Sequence, residues 1–123
     1  MITYAMFSRQ GKRENNEDCI RMKEKKGANV FLLADGLGGH GAGEVASQMT
    51  VEYGAELFEC IEKYDQYLPD LFENAQRRLL TKQRIYHASE QMKTTLVALL
   101  IDGEKASWAH IGDSRLYFFE NGF

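Results

Sequence analysis

The pattern of apolar and polar residues in the first third of the chain predicts three β-strands, the first from its β-branched and aromatic character and the second from apolar–polar alternation. The predicted strands cover residues 2–7, 19–23 and 29–35. A turn with two lysines and a glycine separates the second strand from the third, which makes them an antiparallel hairpin. Because Asp18 precedes one strand and Asp35 ends its partner, the hairpin should bring both carboxylates to the same end of the sheet.

The central third of the chain carries the 3.6-residue period of amphipathic helices. The first predicted helix covers residues 44–63, and its apolar stripe consists of Val45, Ala46, Met49, Tyr53, Leu57, Phe58 and Ile61. Gly54 within this helix costs about 1 kcal/mol relative to alanine, and it therefore indicates close packing against a neighbour. Pro69 fits the first turn of a second helix that extends to residue 86. Its basic residues are interpreted as a solvated face rather than a partner-binding patch; they are Arg77, Arg78, Lys82 and Arg84.

The last third of the chain returns to strands. Residues 94–101 are almost wholly apolar, as expected for a strand that is covered on both faces. Asp102-Gly103 predicts a hairpin turn, and residues 106–111 and 115–119 are predicted to form further strands. Separate runs of strands, helices and strands indicate an α+β fold with antiparallel sheets.

The chain is interpreted as one domain over residues 1–123, and as the amino-terminal part of a larger domain. Asn121-Gly122 is a strong hairpin signal, yet only one residue follows it. A hairpin without its return strand would leave an exposed apolar edge.

Composition and charge narrow the functional class. The 15 basic and 18 acidic residues give a formal net charge of −3, which provides no basic surface for nonspecific nucleic-acid binding. No segment approaches the ~20 apolar residues of a membrane-spanning helix, and the first residues lack the apolar block of a signal peptide. Cys19 and Cys60 match no metal or redox spacing and are interpreted as free thiols of a reducing compartment rather than as a disulfide. We therefore expect a cytoplasmic protein that binds neither nucleic acid nor membrane.

Carboxylates next to turns are the candidate chemical groups. Glu17 and Asp18, Asp35, and Asp113 each lie at the end of a predicted strand. Oxygen ligands from several chain segments suit hard cations such as Mg²⁺ or Mn²⁺, whereas the thiol and imidazole spacing of zinc sites is absent. Carboxylates at strand ends also occur in structural hydrogen-bond networks, so the residues alone leave both interpretations open.

Five glycines lie in the loop from Gly36 to Gly43. The spacing Gly36-x-Gly38-x-x-Gly41 matches a dinucleotide-binding fingerprint between a strand and a helix. Two features oppose that interpretation: Asp35 would place a negative charge beside the pyrophosphate, and a second helix follows where a second strand is required.

Four short motifs, taken in order, resemble the bacterial branch of the PP2C-type metal-dependent serine/threonine protein phosphatases. They are Arg13-x-x-x-Glu17-Asp18, Asp35-Gly36-x-Gly38-Gly39-His40-x-x-Gly43-Glu44, Thr94-Thr95 and Gly112-Asp113-Ser114-Arg115. The resemblance implies an antiparallel β-sandwich flanked by helices (αββα), here incomplete, with a metal site at one end between the sheets. It also implies hydrolysis of phosphoserine and phosphothreonine in phosphorylated proteins that are substrates of a serine/threonine kinase.

The resemblance assigns metal ligands for a centre of Mn²⁺ or Mg²⁺, with two ions or, counting a weaker site, three. Asp18 and Asp35 are implied ligands, and Asp35 would bridge two ions. The backbone carbonyl of Gly36 is a further implied ligand. Asp113 would help to hold the weaker third ion.

The implied catalytic residues are Arg13, Glu17 and Asp35. Glu17 would hold a metal-bound water in the outer shell, and Arg13 would bind the substrate phosphate through its planar guanidinium group. Two metal ions lower the pKa of a shared water and stabilise an in-line displacement at phosphorus, so that no phosphoenzyme is needed.

The chain also departs from the family pattern. Leu37 stands where some members carry a histidine proposed as the acid for the leaving group, and His40 is interpreted as a loop-stabilising residue instead. The second half of the family's domain, with further metal-binding aspartates, has no counterpart here. We therefore expect this chain alone to be inactive or nearly so. The alternative is a noncatalytic phosphatase-like module that binds a partner, although a binding module has no need of clustered carboxylates.

Overall fold

The structure is a computed structural model that describes residues 4–8, 17–38, 41–85, 92–112 and 116–119. These residues form an antiparallel sheet that packs on one face against two long helices, which confirms the predicted α+β class. In chain order the elements are β1 (Asp18–Lys25), β2 (Ala28–Leu37), α1 (Ala42–Cys60), a short 3₁₀ helix (Tyr64–Gln66), α2 (Tyr67–Ile85), β3 (Lys93–Thr94), β4 (Leu96–Asp102) and β5 (Lys105–Ile111).

The sheet consists of two hairpins placed side by side. Its strand order is β1-β2-β4-β5, and the short β3 pairs with the end of β2. Lys26 and Gly27 form the first turn with positive φ values of 49° and 81°, and Gly103 (φ 63°) lies in the turn that joins β4 to β5. β1 pairs with β2 so that Asp18 lies opposite Asp35. Both predicted hairpins are therefore confirmed, as is the predicted meeting of two carboxylates at one end of the sheet.

The hydrophobic core lies between the sheet and the helices. Alternate residues of β2 are buried there, as the two-residue period of a strand requires; they are Ala28, Val30, Leu32 and Ala34. Gly54 allows α1 to approach this strand, because a Cβ at that position would lie 2.9 Å from Leu32 Cδ1. The close packing predicted at Gly54 is confirmed. The helices bury Val51, Ala55, Phe58, Tyr67 and Leu71 against the strand.

Both predicted helices are confirmed, with ends that differ from the prediction by a few residues. α1 begins after Gly41, whose φ of 80° is left-handed and favours glycine. At the other end of α1, Lys25 Nζ donates hydrogen bonds to the carbonyl groups of Glu59 (2.7 Å) and Ile61 (3.0 Å). Pro69 lies in the first turn of α2, as predicted. Within the described part of the chain, neither helix combines the length and apolar composition of a membrane span.

Three strand predictions need correction. Tyr4–Ser8 and residues 116–119 are not strands. They contact the sheet through side chains: the Tyr4 ring packs edge-on against Phe31 at 5.6 Å, and Leu116 lines a groove on the same face. These two segments therefore pack onto the face of the sheet and do not pair with its edge strands. The predicted strand over residues 94–101 is interrupted at Thr95, which separates β3 from β4.

The sheet face opposite the helices is apolar and only partly covered. Its groove is lined by Met6, Phe7, Ile20, Leu33, Val97 and Leu99. Phe7 is 78% exposed, and Trp108, which pairs with Leu99 on β5, is 51% exposed. β4 was predicted to be covered on both faces, but Leu99 and Ile101 are only half-buried. The described residues thus contain one sheet and one helical layer of the αββα arrangement.

Candidate metal centre

Two carboxylates oppose each other at the end of the central hairpin. Asp18 begins β1, Asp35 lies near the end of β2, and the two residues form a pair in the antiparallel register. Like charges at directly opposed positions destabilise a sheet unless a positive group or a donor compensates them. Asp18 is exposed and Asp35 is half-buried, so this end of the sheet is open to an ion from solvent.

Glu17 joins the same cluster through its backbone and its side chain. Its carbonyl oxygen accepts a hydrogen bond from the Gly36 N–H at 3.0 Å, which ties the start of β1 to β2 beside Asp35. Its carboxylate Oε2 is buried, and no described residue forms a hydrogen bond with it. Such an oxygen is costly to desolvate unless another group compensates its charge, which is what a bound cation or a metal-held water would do.

Two glycines allow the first turn of α1 to pack closely against this cluster. A Cβ at Gly43 would collide with Glu17 Oε2 and would lie 2.7 Å from the Leu37 backbone nitrogen. A Cβ at Gly36 would collide with the Gly43 carbonyl group and would lie 3.0 Å from the Glu17 carbonyl oxygen. The glycines therefore bring the positive end of the α1 dipole beside the Glu17 carboxylate, where it stabilises negative charge.

Thr95 holds the backbone of Asp35 from the opposite side. The Asp35 N–H donates to Thr95 Oγ1 at 3.1 Å, and the Thr95 N–H donates to the Asp35 carbonyl at 3.0 Å. Gly112 (φ 95°) lies close to Thr95, because a Cβ there would be 2.9 Å from Thr95 Cβ. The end of β5 therefore reaches the same corner of the sheet.

The one described thiol near the cluster is unsuited to metal binding. Cys19 follows Asp18 but pairs with Ala34, a residue that is buried on the helical side of the sheet. Burial, followed by the negative charge of Glu52, raises the pKa of the Cys19 thiol. A thiol with a raised pKa stays protonated and is a poor ligand or nucleophile.

The potential metal ligands at this corner are oxygen atoms, the type of ligand that suits a hard cation. The carboxylates of Glu17, Asp18 and Asp35 and the backbone near Gly36 offer oxygen atoms, which Mg²⁺ and Mn²⁺ prefer. Among the residues that the structure describes, however, no group of three or more His, Cys, Asp or Glu side chains is arranged to hold a metal ion. The described corner therefore supplies part of a ligand set.

The predicted site residues fall into two groups. Glu17, Asp18, Asp35 and Gly36 are brought together, although their roles as ligands stay predictions. Arg13 and Asp113 lie outside the described residues, as does His40; these assignments also stay predictions.

Sequence reasoning missed two contributors to the site. Gly43 leaves the space that the Glu17 side chain occupies, but the sequence did not distinguish it from the other four glycines of the same loop. Thr95 was part of a recognised motif, but its hydrogen bond to Asp35 had no sequence signal beyond a hydroxyl group ahead of an apolar run.

Comparisons with known proteins agree on one family. A family model described as protein phosphatase 2C matches residues 8–122. A putative protein phosphatase 2C-type of Streptococcus pyogenes is 40% identical over 119 residues, which cover 90% of this chain and 47% of that relative.

Solved structures show the same similarity. The crystal structure of the Mycobacterium tuberculosis serine/threonine phosphatase PstP superposes with a TM-score of 0.69 at 37% identity, covering 84% of this chain and 43% of the chain in that structure. A crystal structure of the PstP catalytic domain in complex with two manganese ions gives a TM-score of 0.70 at 37% identity, covering 84% and 44% of the two chains. The chain thus spans about half the length of the S. pyogenes relative and less than half of these structures.

Proposed function

Because this chain belongs to the protein phosphatase 2C family, we propose that it forms part of a metal-dependent serine/threonine protein phosphatase. The reaction is hydrolysis of phosphoserine and phosphothreonine in phosphorylated proteins. The observation that carries the proposal is the corner where Asp18 opposes Asp35 and a buried Glu17 oxygen has no described partner. In this proposal residues 1–123 are the amino-terminal part of one phosphatase domain, in keeping with a match that covers 47% of a relative.

The metal ligands proposed here are Asp18, Asp35, Gly36 and Asp113. As the family resemblance implies, Asp35 would be a ligand of both ions; it lies opposite Asp18 and next to Gly36, whose carbonyl group would be a further ligand. Asp113 follows Gly112, which lies close to Thr95 and so near Asp35. The bound Mn²⁺ or Mg²⁺ supplies water activation and neutralises charge on the phosphoryl group.

The remaining proposed roles concern water and phosphate. Glu17 would accept a hydrogen bond from a water at the metal centre, since its buried Oε2 has acceptor capacity to spare. Arg13 would bind the substrate phosphate through two parallel N–H donors, which match phosphate oxygens better than a lysine does. Neither role requires the side chain to exchange a covalent bond with phosphorus.

We propose phosphorylated proteins as substrates and the cytoplasm as the compartment. Cys19 and Cys60 are free thiols, as expected in a reducing environment. A serine/threonine kinase would supply these substrates, because the reaction consumes its product.

The test uses the full product of the gene that encodes this chain, with a phosphothreonine peptide and Mn²⁺. We expect Mn²⁺-dependent phosphate release that falls about 100-fold or more in Asp35→Asn, because a bridging carboxylate is lost. Asp102→Asn is the matched control, since Asp102 is also a strand-end aspartate but lies at the other end of the sheet, opposite Ala28. Residues 1–123 alone should release little or no phosphate.

Other outcomes would contradict the proposal. Metal-independent hydrolysis, or equal rates for Asp35→Asn and Asp102→Asn, would exclude the assigned centre. A gene product that neither binds Mn²⁺ nor releases phosphate would instead favour the noncatalytic binding module.

A further inference from the structure

The hydrogen-bond ladder that joins β2 to β4 and β3 is interrupted next to Asp35. β2 pairs with β4 as far as Leu33 opposite Val97, and with β3 from Gly36 opposite Thr94. The two stretches share one register, and its continuation places Asp35 opposite Thr95. The interruption of the ladder therefore coincides with the proposed bridging ligand.

Thr95 accepts the hydrogen bond of the Asp35 N–H through its side chain, whereas a residue of a regular strand would accept it through its backbone carbonyl group. In a regular hydrogen-bonded antiparallel pair, the two residues exchange both backbone N–H···O=C bonds. Here the bond from the Thr95 N–H to the Asp35 carbonyl is present at 3.0 Å, but the Asp35 N–H donates to Thr95 Oγ1 at 3.1 Å. The Thr95 carbonyl instead accepts a hydrogen bond from the Thr94 hydroxyl group at 2.8 Å.

Thr95 also sets the position of the end of β5. A Cβ at Gly112 would lie 2.5 Å from Thr95 Cγ2 and 3.4 Å from Thr95 Cα, so the Gly112 backbone lies directly against this residue. The φ of 95° at Gly112 favours glycine as well. One side chain therefore contacts the backbones on both sides of it, at Asp35 and at Gly112.

We propose that Thr95 is a positioning residue for the metal centre, acting through the backbone of Asp35. The proposal rests on the proposed function, because it assumes that Asp35 binds metal. The Thr95 hydroxyl group sets where the Asp35 N–H points, and thereby the direction in which the Asp35 carboxylate leaves the strand. Without that hydroxyl group, the Asp35 N–H loses its acceptor. The Asp35 carboxylate is then no longer held in this direction.

The test compares Thr95→Val, which keeps the shape but removes the hydroxyl group, with Thr95→Ser, which keeps the hydroxyl group. Thr81→Val is the matched control, because Thr81 Oγ1 donates to the Arg77 carbonyl at 3.1 Å on the exposed side of α2. Two quantities are measured in the full gene product: the Mn²⁺ dissociation constant, from the electron paramagnetic resonance signal of free Mn²⁺, and the hydrogen-exchange rate of the Asp35 amide without metal.

We expect Thr95→Val to weaken Mn²⁺ binding about tenfold or more, the size of effect seen when groups that orient a metal ligand are removed. The Asp35 amide should exchange faster in the same variant. Thr95→Ser and Thr81→Val should bind Mn²⁺ like the wild type. If Thr95→Val does not fold, Thr95→Cys provides the same comparison, because sulfur is a weak acceptor.

Equal Mn²⁺ affinity in Thr95→Val and the wild type would overturn the positioning role and leave the proposed function intact. Equal losses in Thr95→Ser and Thr95→Val would also overturn it, because a variant that keeps the hydroxyl group would then bind Mn²⁺ as poorly as one that lacks it. A wild-type protein without saturable Mn²⁺ binding would overturn the proposed metal centre, and the positioning role with it.

Discussion

The carboxylate of Glu17 depends on the absence of a side chain at one other residue. Its Oε2 atom is buried against Gly43, and Gly36 packs against the Gly43 carbonyl group from the adjacent strand. Gly43 has an ordinary negative φ, so its importance comes from space rather than from backbone conformation. The two glycines thus set the distance between α1 and the proposed metal ligands.

Gly43→Ala should therefore lower the free energy of unfolding by about 2 kcal/mol, because overpacking outweighs the gain in helix propensity. The variant should also weaken Mn²⁺ binding, since Glu17 must move. Urea unfolding and Mn²⁺ titration measure the two effects. Gly103→Ala is the control: a Cβ there meets open space, so only the cost of its positive φ remains and Mn²⁺ binding should be unchanged. Wild-type stability in Gly43→Ala would contradict the assigned contact.

The elements are joined by polar contacts as well as by apolar packing. Tyr67, in the first turn of α2, is fully buried, and its hydroxyl group donates to the Gly54 carbonyl of α1 at 2.7 Å. Lys25, at the end of β1, binds the last carbonyl groups of α1, and the Tyr64 hydroxyl group donates to the Lys25 carbonyl at 3.1 Å. These bonds hold the helical layer in one position on the sheet.

Tyr67→Phe should lower the free energy of unfolding by about 1 kcal/mol, the net value of a buried hydrogen bond. Burial raises the pKa of Tyr67, so the folded state favours the protonated phenol. The contribution of this raised pKa to the free energy of unfolding is complete below the unfolded-state tyrosine pKa of about 10, and it is lost as the pH rises further. The free energy of unfolding, taken from unfolding curves between pH 7 and 11, should therefore depend less on pH in Tyr67→Phe than in the wild type. Tyr64→Phe, which removes a less buried bond, is the control; a larger effect there would contradict this ranking.

At the scale of the whole molecule, the sheet has one covered face and one open face. The helices cover Val30 and Leu32, whereas Phe7 and Trp108 on the opposite side are 78% and 51% exposed. Contiguous exposed apolar surface favours association with another apolar surface. The αββα arrangement of the family has a second sheet, and the described residues contain none.

The open face should therefore bind an apolar dye such as anilinonaphthalene sulfonate when residues 1–123 are purified alone. Phe7→Gln combined with Trp108→Gln should reduce the dye fluorescence by about half, because two large apolar groups are removed from the patch. Leu80→Gln combined with Ile85→Gln is the control, since both residues are exposed on α2. Equal reductions in the two double variants would show that the dye does not report on the sheet face.

Much of the fold follows from local patterns. The helical stripe predicted α1, the turn at Lys26 and Gly27 predicted the first hairpin, and their combination predicted the meeting of Asp18 and Asp35. The strand predicted over residues 2–7 was wrong for its described part, residues 4–7. The prediction rested on β-branched and aromatic character, which suits a sheet face as well as a sheet edge. Alternation indicates which side chains become buried, but not which backbone partner is available.

The sequence by itself determined the identity of the carboxylates, their places at strand ends and the α+β order, because these depend on residue type and short-range periodicity. Only the tertiary structure decided that Gly43 makes room for Glu17 and that the Thr95 hydroxyl group holds the Asp35 N–H. Those contacts join residues far apart in the chain, and they depend on where α1 and β3 come to lie against β2. The physical reason is that a close approach of two backbones is set by the packing of whole elements, which no local pattern encodes.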